Sequence, residues 1–260
     1  MQKDILTTIN NGVATIVLNR PKVFNSFNRA MALLLQSELD KCATDDDVRA
    51  IVLTGSGRAF CAGQDLGEVT SEKLNPGFKT ILEEHYNPII HKIRTIKKPV
   101  VAAVNGVAAG AGANIALACD IVIASEQASF IQAFSKIGLV PDSGGTFFLP
   151  RLIGFQRASA LMMLGDKVEA KQALEMGMLY KMVSHDTLEE ETQKIAITLA
   201  NMPTKALGMT KELLNASMTN SLDEQLAMES TYQIEAAQTE DYKEGVTAFI
   251  EKRKPNFKGK

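Results

Sequence analysis

The sequence predicts an α/β core followed by a C-terminal helical domain, and three observations carry that prediction. Short β-branched or aliphatic runs alternate with helix-period segments up to about residue 154. Glycine-rich turns stand where such runs give way to a helix, and beyond Gly154 the period is helical throughout. A chain of 260 residues, 45% hydrophobic and 22% charged, has room for one large α/β domain with an appended helical piece, and forms a core without disulfides or metals.

Val13 to Leu18 is a β-branched run that ends at Asn19-Arg20-Pro21, where proline stops a ladder and opens a loop. From Asn28 the segment NRAMALLLQSELDKCA has apolar residues at helical spacing, with Asn28 as its N-cap. Arg49 to Thr54 is a buried strand closed by Gly55-Ser56-Gly57, and LEEHYNPIIHKIRTIKK is an amphipathic helix whose His85 and His91 belong at a surface or boundary. Pro99 to Val104 and Asp120 to Ala124 are further strands, with the small-residue segment AAGAGANIALAC between them. In such a layout a ligand meets the strand-to-helix turn.

Beyond Gly154, the segments FQRASALMML, VEAKQALEMGM, TLEEETQKIAITLANM, TKALGMTKELLNASM and SLDEQLAMESTYQIEAAQ are all helical in period, and no strand is expected there. No linker rich in Pro, Gly or Ser separates the two parts, so they are expected to pack together. Met162, Met163, Met176, Met178 and Met182 read as core or subunit-contact filling.

The 28 basic residues against 30 acidic ones give a formal net charge of −2, which argues against a nucleic-acid-coating surface or a basic membrane face. Cys42, Cys61 and Cys119 are odd in number and lack CxxC spacing, so neither a disulfide framework nor a zinc site is indicated. The N-terminal segment lacks the apolar region of a secretory signal, and no stretch reaches the roughly 18 to 20 apolar residues that span a bilayer. A cytoplasmic protein without nucleic-acid or membrane partners is expected.

Three segments carry chemistry. In Ala59-Phe60-Cys61-Ala62-Gly63-Gln64-Asp65-Leu66 the small residues let a ligand carbonyl approach the main chain and accept from the N–H after Gly63, although a tight packing turn explains the same residues. Asn105 to Asn114 leaves a buried strand and enters a helix almost without side chains, presenting free N–H groups suited to an oxyanion. A dinucleotide loop is disfavoured there, because Ile115 stands where the third glycine of that fingerprint belongs. In the third segment Asp142 stands between an apolar run and a glycine-rich turn, either as a proton-transferring carboxylate with raised pKa or as a cap of the turn through Ser143 and Gly144.

Five segments in one order, NRPKVFNSFN at 19–28, AFCAGQDL at 59–66, KPVVAAVNGVAAGAGANIALACDIVIAS at 98–125, FSKIGLVPDSGGTFFLPR at 134–151 and YKEGVTAFIEKRKPNF at 242–257, resemble the crotonase, or enoyl-CoA hydratase/isomerase, family over nearly the whole chain. The resemblance implies a crotonase-like spiral of β-β-α repeats over residues 1–199 and a C-terminal helical trimerisation region over 200–260. It also implies a homotrimer or homohexamer that binds an acyl-CoA thioester. Coenzyme A then arrives as part of the substrate, and no cofactor or metal is called for. By position, the family's oxyanion donors fall on the backbone N–H groups of Gln64 and Ala111; Ala62, Gly63, Asp65, Leu66, Gly110 and Phe134 are the expected substrate contacts with them, and Lys22 near the NRP turn reads either as solvated or as a contact for CoA phosphates.

The departure from the family pattern is as informative. Hydratases of the family activate water with two glutamates, whose positions are occupied here by Asn114 and Phe134. The acid stands instead at Asp142, where isomerases of the family place a single carboxylate. The resemblance therefore implies an acyl-CoA isomerase that transfers protons with Asp142, acting on a 1,2-epoxyphenylacetyl-CoA or a Δ3,Δ2-enoyl-CoA type of substrate. Enoyl-CoA hydratase is the alternative, and an inactive acyl-CoA-binding scaffold is the non-enzymatic one. A nucleophile built from Cys61 or Ser143 with His85 or His91 lacks the G-x-S-x-G elbow, and His185 reads as a helix-start residue. The basic tail IEKRKPNFKGK reads as a solvated end or as a contact for CoA phosphates.

Overall fold

Asn11 and Gly12, with φ of 52° and 75°, close a tight hairpin between strands β1 (Ile5–Asn10) and β2 (Val13–Leu18), the left-handed pair that asparagine and glycine tolerate best. The computed structural model, which describes residues 3–260, continues from this hairpin into strand–strand–helix turns. β3 (Ala50–Gly55) is followed by β4 (Ala59–Cys61) and helical segments, and β5 (Val100–Val104) by β6 (Val107–Ala109) and the helix Ala111–Leu117. β7 (Ile121–Ser125) is followed by β8 (Ser129–Ile131) and the short turn Ala133–Ile137.

The first strand of each turn joins one sheet and the second joins another. The larger sheet runs β1-β2-β3-β5-β7-β10 and the smaller β4-β6-β8-β9, where β9 is Lys167–Glu169 and β10 is Lys181–Val183. From β2 to β10 the larger sheet is parallel, as repeated crossovers of one hand require. This is the expected β-β-α spiral.

Strands β3 and β5 are buried on both faces, which is why they read as continuous apolar runs. Ile51, Leu53, Val100 and Ala102 face a main core shared with Met31, Leu35, Ile89 and Ile115. Ala50, Val52, Val101 and Ala103 face the helix Leu188–Ala200, which covers the other side through Leu188, Ala196 and Ala200. Asn28 caps the helix Arg29–Thr44 as expected, its side chain accepting from Met31 N at 2.9 Å.

The expectation of no strand beyond Gly154 is overturned by β9 and β10. Each has three residues, and β9 turns only Val168 inward, so neither leaves a periodic signature. Their partners lie far back in the chain: β9 pairs antiparallel with β8 and β10 parallel with β7. The helices Thr204–Ala216, Leu222–Ala236 and Glu240–Glu251 complete the chain. The first of these is tied to the core by Lys211, only 6% exposed, which donates to Ile93 O at 2.6 Å and pairs with Asp120 at 2.7 Å.

The basic tail is not a freely solvated end. Asp241 accepts from the backbone N–H groups of Lys258 and Gly259 at 2.6 and 2.7 Å, and Arg49 donates to Phe257 O at 2.7 Å. Among the methionines, Met178 is buried, Met162, Met176 and Met182 pack against the core, and Met163 is exposed. No helix among the described residues is long and apolar enough to cross a membrane.

Candidate active site

Gly63 has φ of 89°, and a Cβ placed on it would lie 3.0 Å from Ala109 O and 3.4 Å from Ala111 N. Only a residue without a side chain allows the turn after β4 and the turn after β6 to touch. The helix Ala111–Leu117 is seated equally closely, since a Cβ on Gly112 would lie 2.2 Å from Cys61 O. The small-residue composition of both segments is thus a packing requirement, and it brings the backbone of Gln64 beside that of Ala111.

The NSFN loop of the same chain holds the first turn. Phe27 N donates to Gly63 O at 2.7 Å and Asp65 N to Phe27 O at 2.8 Å, so the NSFN loop forms a single bridge alongside Gln64. In the second turn Gly110 N is bound to Ile131 O at 2.8 Å. The N–H groups of Gln64 and Ala111 have no acceptor among the described residues. Ala111 is the first residue of its helix, where an unpaired N–H carries partial positive charge.

These turns open onto a cavity of about 350 Å³ lined by Ala62, Gly63, Gln64, Leu66, Gly110, Ala111, Phe134 and Asp142, with Val23, Phe78, Ile81, Tyr86, Ile137 and Leu139 among its apolar walls. Of the positions singled out from the sequence, all but Lys22 and Asp65 line it. Lys22 is exposed in the NRP turn, next in sequence to the lining Val23. The Asp65 carboxylate is already engaged: it accepts from Arg20 Nη2 at 2.9 Å and from Gly67 N at 2.9 Å. Its work is to tie the loop that carries Gln64 to the NRP turn.

Asp142 provides the cavity's carboxylate. Burial pushes its pKa up to about 6, against the opposing effect of the Ser143 hydroxyl, which donates to Oδ1 at 2.9 Å. The reading of Asp142 as a turn cap fails on geometry. Its carbonyl, not its carboxylate, accepts from Gly145 N at 2.9 Å, and the helix Gly145–Ile153 has no side-chain cap.

The positions of the two family glutamates hold no acid. Asn114 is fully buried, with its amide donating to Asp142 O at 2.8 Å, and Phe134 presents a ring edge 3.7 Å from where a Cβ on Gly110 would stand. The nucleophile alternative is not assembled either. Burial raises the Cys61 thiol to about 12, its sulfur accepts from Gly63 N at 3.4 Å, and Ser143 is committed to Asp142.

Sequence reasoning missed Tyr86. Its hydroxyl donates to Gln64 Oε1 at 2.9 Å, Gln64 Nε2 donates to Glu68 Oε2 at 2.8 Å, and burial holds the phenol well above its ordinary pKa. Tyr86 and His85 end a wide helical turn, Ile81–Tyr86, inserted before the helix Asn87–Thr95. Wider π-type turns recur at functional sites because they rotate side chains out of the α-helical stripe. For the same reason His85 is buried, contrary to expectation, and burial lowers its pKa; His91 is exposed. His185 starts the turn before the helix Leu188–Ala200, as expected. Among the described residues no three His, Cys, Asp or Glu side chains are grouped to hold a metal.

A β-β-α spiral with two facing backbone donors and an apolar pocket defines a class, and the whole chain matches it. The enoyl-CoA hydratase/isomerase family pattern matches residues 8–260, and the chain belongs to that family, the crotonases. It is 47% identical over 262 residues to the 1,2-epoxyphenylacetyl-CoA isomerase of Escherichia coli strain K12, covering 100% of both chains. It is 46% identical over 252 residues to a protein of Rhodobacter capsulatus described as a probable enoyl-CoA hydratase, covering 97% of this chain and 96% of that one. The crystal structure of an enoyl-CoA hydratase from Bacillus anthracis superposes with a TM-score of 0.93 at 33% identity, covering 99% of this chain and 100% of that one.

Proposed function

We propose that the protein is an acyl-CoA isomerase of the 1,2-epoxyphenylacetyl-CoA or Δ3,Δ2-enoyl-CoA type, with Asp142 as its proton-transferring residue. The observation that carries this reading is a single carboxylate, held near pKa 6, in the cavity onto which the unpaired N–H groups of Gln64 and Ala111 open. With a 3-enoyl thioester, the C2–H bond breaks and the proton passes to Asp142. The electron pair spreads onto the thioester oxygen, where the two N–H groups stabilise it, and the proton returns at C4 to leave a C2=C3 double bond. Removing one such donor costs ~2.7–4 kcal/mol of transition-state stabilisation in other enzymes.

Ala62, Gly63, Leu66, Gly110 and Phe134 enclose the acyl group in this reading. Lys22, exposed and adjacent in sequence to the cavity-lining Val23, is available to a CoA phosphate in this reading. Coenzyme A is part of the substrate, and the proton transfers call for no cofactor. A cytoplasmic homotrimer or homohexamer, with 200–260 as the assembling region, completes the proposal. The C-terminal helices leave Leu222, Leu226, Ile234, Phe249 and Ile250 exposed, which supports assembly through that region.

Hydration is the second reading, because one close relative carries that description. Incubation with 3-enoyl-CoA and with 2-enoyl-CoA in heavy water separates the two. The isomerase exchanges carbon-bound hydrogen and shifts the double bond, and Asp142→Asn loses nearly all of that activity while still binding acyl-CoA. Rapid water addition to 2-enoyl-CoA, or full isomerase activity in Asp142→Asn, overturns the proposal.

A further inference from the structure

Asn114 lies three residues after Ala111, on the same short helix, with none of its surface exposed. Its Nδ2 donates to the backbone carbonyl of Asp142 at 2.8 Å, and its Oδ1 accepts from Gln132 Nε2 at 2.8 Å. Gln132 is itself buried and, among the described residues, its Oε1 has no partner. An unsatisfied buried oxygen of this kind costs ~1–3 kcal/mol, so the pair is not arranged for the greatest number of hydrogen bonds. It fixes which end of the Asn114 amide faces Asp142.

Three local features converge on Asp142, two on its carbonyl and one on its carboxylate. A Cβ on Gly145 would lie 2.3 Å from Asn114 Nδ2, so glycine there is what admits the amide. Gly145 N also donates to Asp142 O, at 2.9 Å. Ser143 adopts φ of 50°, a left-handed conformation that costs a non-glycine residue ~1–3 kcal/mol and persists only where its surroundings enforce it. That conformation accompanies the Ser143 hydroxyl's bond to the Asp142 carboxylate.

We propose that Asn114, oriented by Gln132, is a positioning residue: it clamps the Asp142 peptide to the helix that begins at Ala111, so that one rigid element sets the separation between oxyanion donor and base. This rests on the reading of Asp142 as the base. The position that holds an acid in family hydratases has become the brace of an acid elsewhere. The chain thereby keeps one carboxylate in the cavity and gives it a fixed place.

The test uses variants that keep the volume of the buried pair. Asn114→Leu with Gln132→Met removes both polar partners together, a change that is nearly neutral for folding when shapes are conserved. The Gln132→Met single variant leaves the Asn114 amide in place but free to turn. For 3-enoyl-CoA the double variant is expected to lose about 10- to 100-fold in kcat, the scale of a misplaced catalytic group, with KM little changed. The single variant is expected to fall between it and the parent. The acidic limb of the pH profile, set near 6 by Asp142, is expected to move to lower pH as the loosened carboxylate gains solvent. Tyr86 is the titrating neighbour coupled to Asp142, and it stays protonated throughout that range.

A folded double variant with parental kcat, beside an inactive Asp142→Asn, overturns the positioning role and leaves the base intact. A loss equal at every pH, with the acidic limb unmoved, also overturns it, because destabilisation alone would produce that pattern. If the double variant fails to fold, the Gln132→Met kcat and pH limb decide in the same way. An active Asp142→Asn overturns the reading on which the inference stands.

Discussion

In the role proposed for it, Asp142 takes a proton from carbon and has to be ionised when the substrate arrives, and burial opposes that ionisation. Desolvation raises its pKa from 3.8 to about 6, with the Ser143 hydroxyl recovering part of the loss. The balance leaves a base that is ionised at neutral pH yet stronger than a solvated aspartate. The kcat/KM for 3-enoyl-CoA is accordingly expected to be level above about pH 7 and to fall tenfold per pH unit below about 6, as a pH–rate profile measures. The same shift has a cost in stability whose sign is fixed by linkage. Between pH 3.8 and about 6 the folded state binds the proton more tightly than the unfolded chain, so this group's contribution falls as pH rises through that window. With each tenfold change in proton affinity worth ~1.4 kcal/mol, the folded protein gives up on the order of 3 kcal/mol at neutral pH. Asp142→Asn is therefore expected to be inactive but more stable than the parent in urea at pH 7, with the gain vanishing near pH 4.

At the scale of elements, the site is made by two close backbone approaches. A methyl group added at 112 would stand 2.2 Å from Cys61 O and 2.8 Å from Cys61 Cβ, neither of which can retreat within the buried core. Gly112→Ala is expected to cost ~1–3 kcal/mol of stability, as overpacking does, and to lower kcat by moving Ala111 away from Gln64. Thermal denaturation and kinetics on one preparation check both parts. These approaches were legible beforehand because steric demand leaves a compositional mark: residues 61–63 and 108–113 have almost no side chains. Asp142 was legible as a lone acid, but whether it capped its turn depended on whether its carbonyl or its carboxylate met Gly145. The bond from Asn114 to Asp142 spans 28 residues of sequence and leaves no periodic trace. Strands β9 and β10 were hidden because their pairing, supplied by β8 and β7, decides them more than their own three residues do. Tyr86 was hidden because a wide turn breaks the stripe on which helical spacing relies.

For the whole molecule, the question is what the C-terminal helices cover. They are fastened to the spiral by the Lys211–Asp120 pair in the core and by Arg49, which donates to Phe257 O, while Asp241 ties the tail back onto the last helix, so they are held in place rather than hanging free. Yet on the helix Glu240–Glu251 the residues Tyr242, Val246, Phe249 and Ile250 are all exposed, Phe249 at 85% and Ile250 at 73%. Their spacing of four, three and one places them on a single stripe. Beside the stripe lies a cavity of about 390 Å³ whose walls include Ala206, Ala236 and Phe257. A stripe of this kind, continuous with a groove and left by helices that are otherwise firmly anchored, fits a second copy of the chain, in keeping with the proposed trimer or hexamer. The protein is expected to sediment as a trimer or larger at micromolar concentration. Phe249→Glu combined with Ile250→Glu places two charges where the apolar stripe has to lose water, and is expected to shift sedimentation toward the monomer while leaving the far-ultraviolet circular dichroism unchanged. A parent protein that sediments as a monomer, or a double variant that remains fully assembled, would remove this face from the interface.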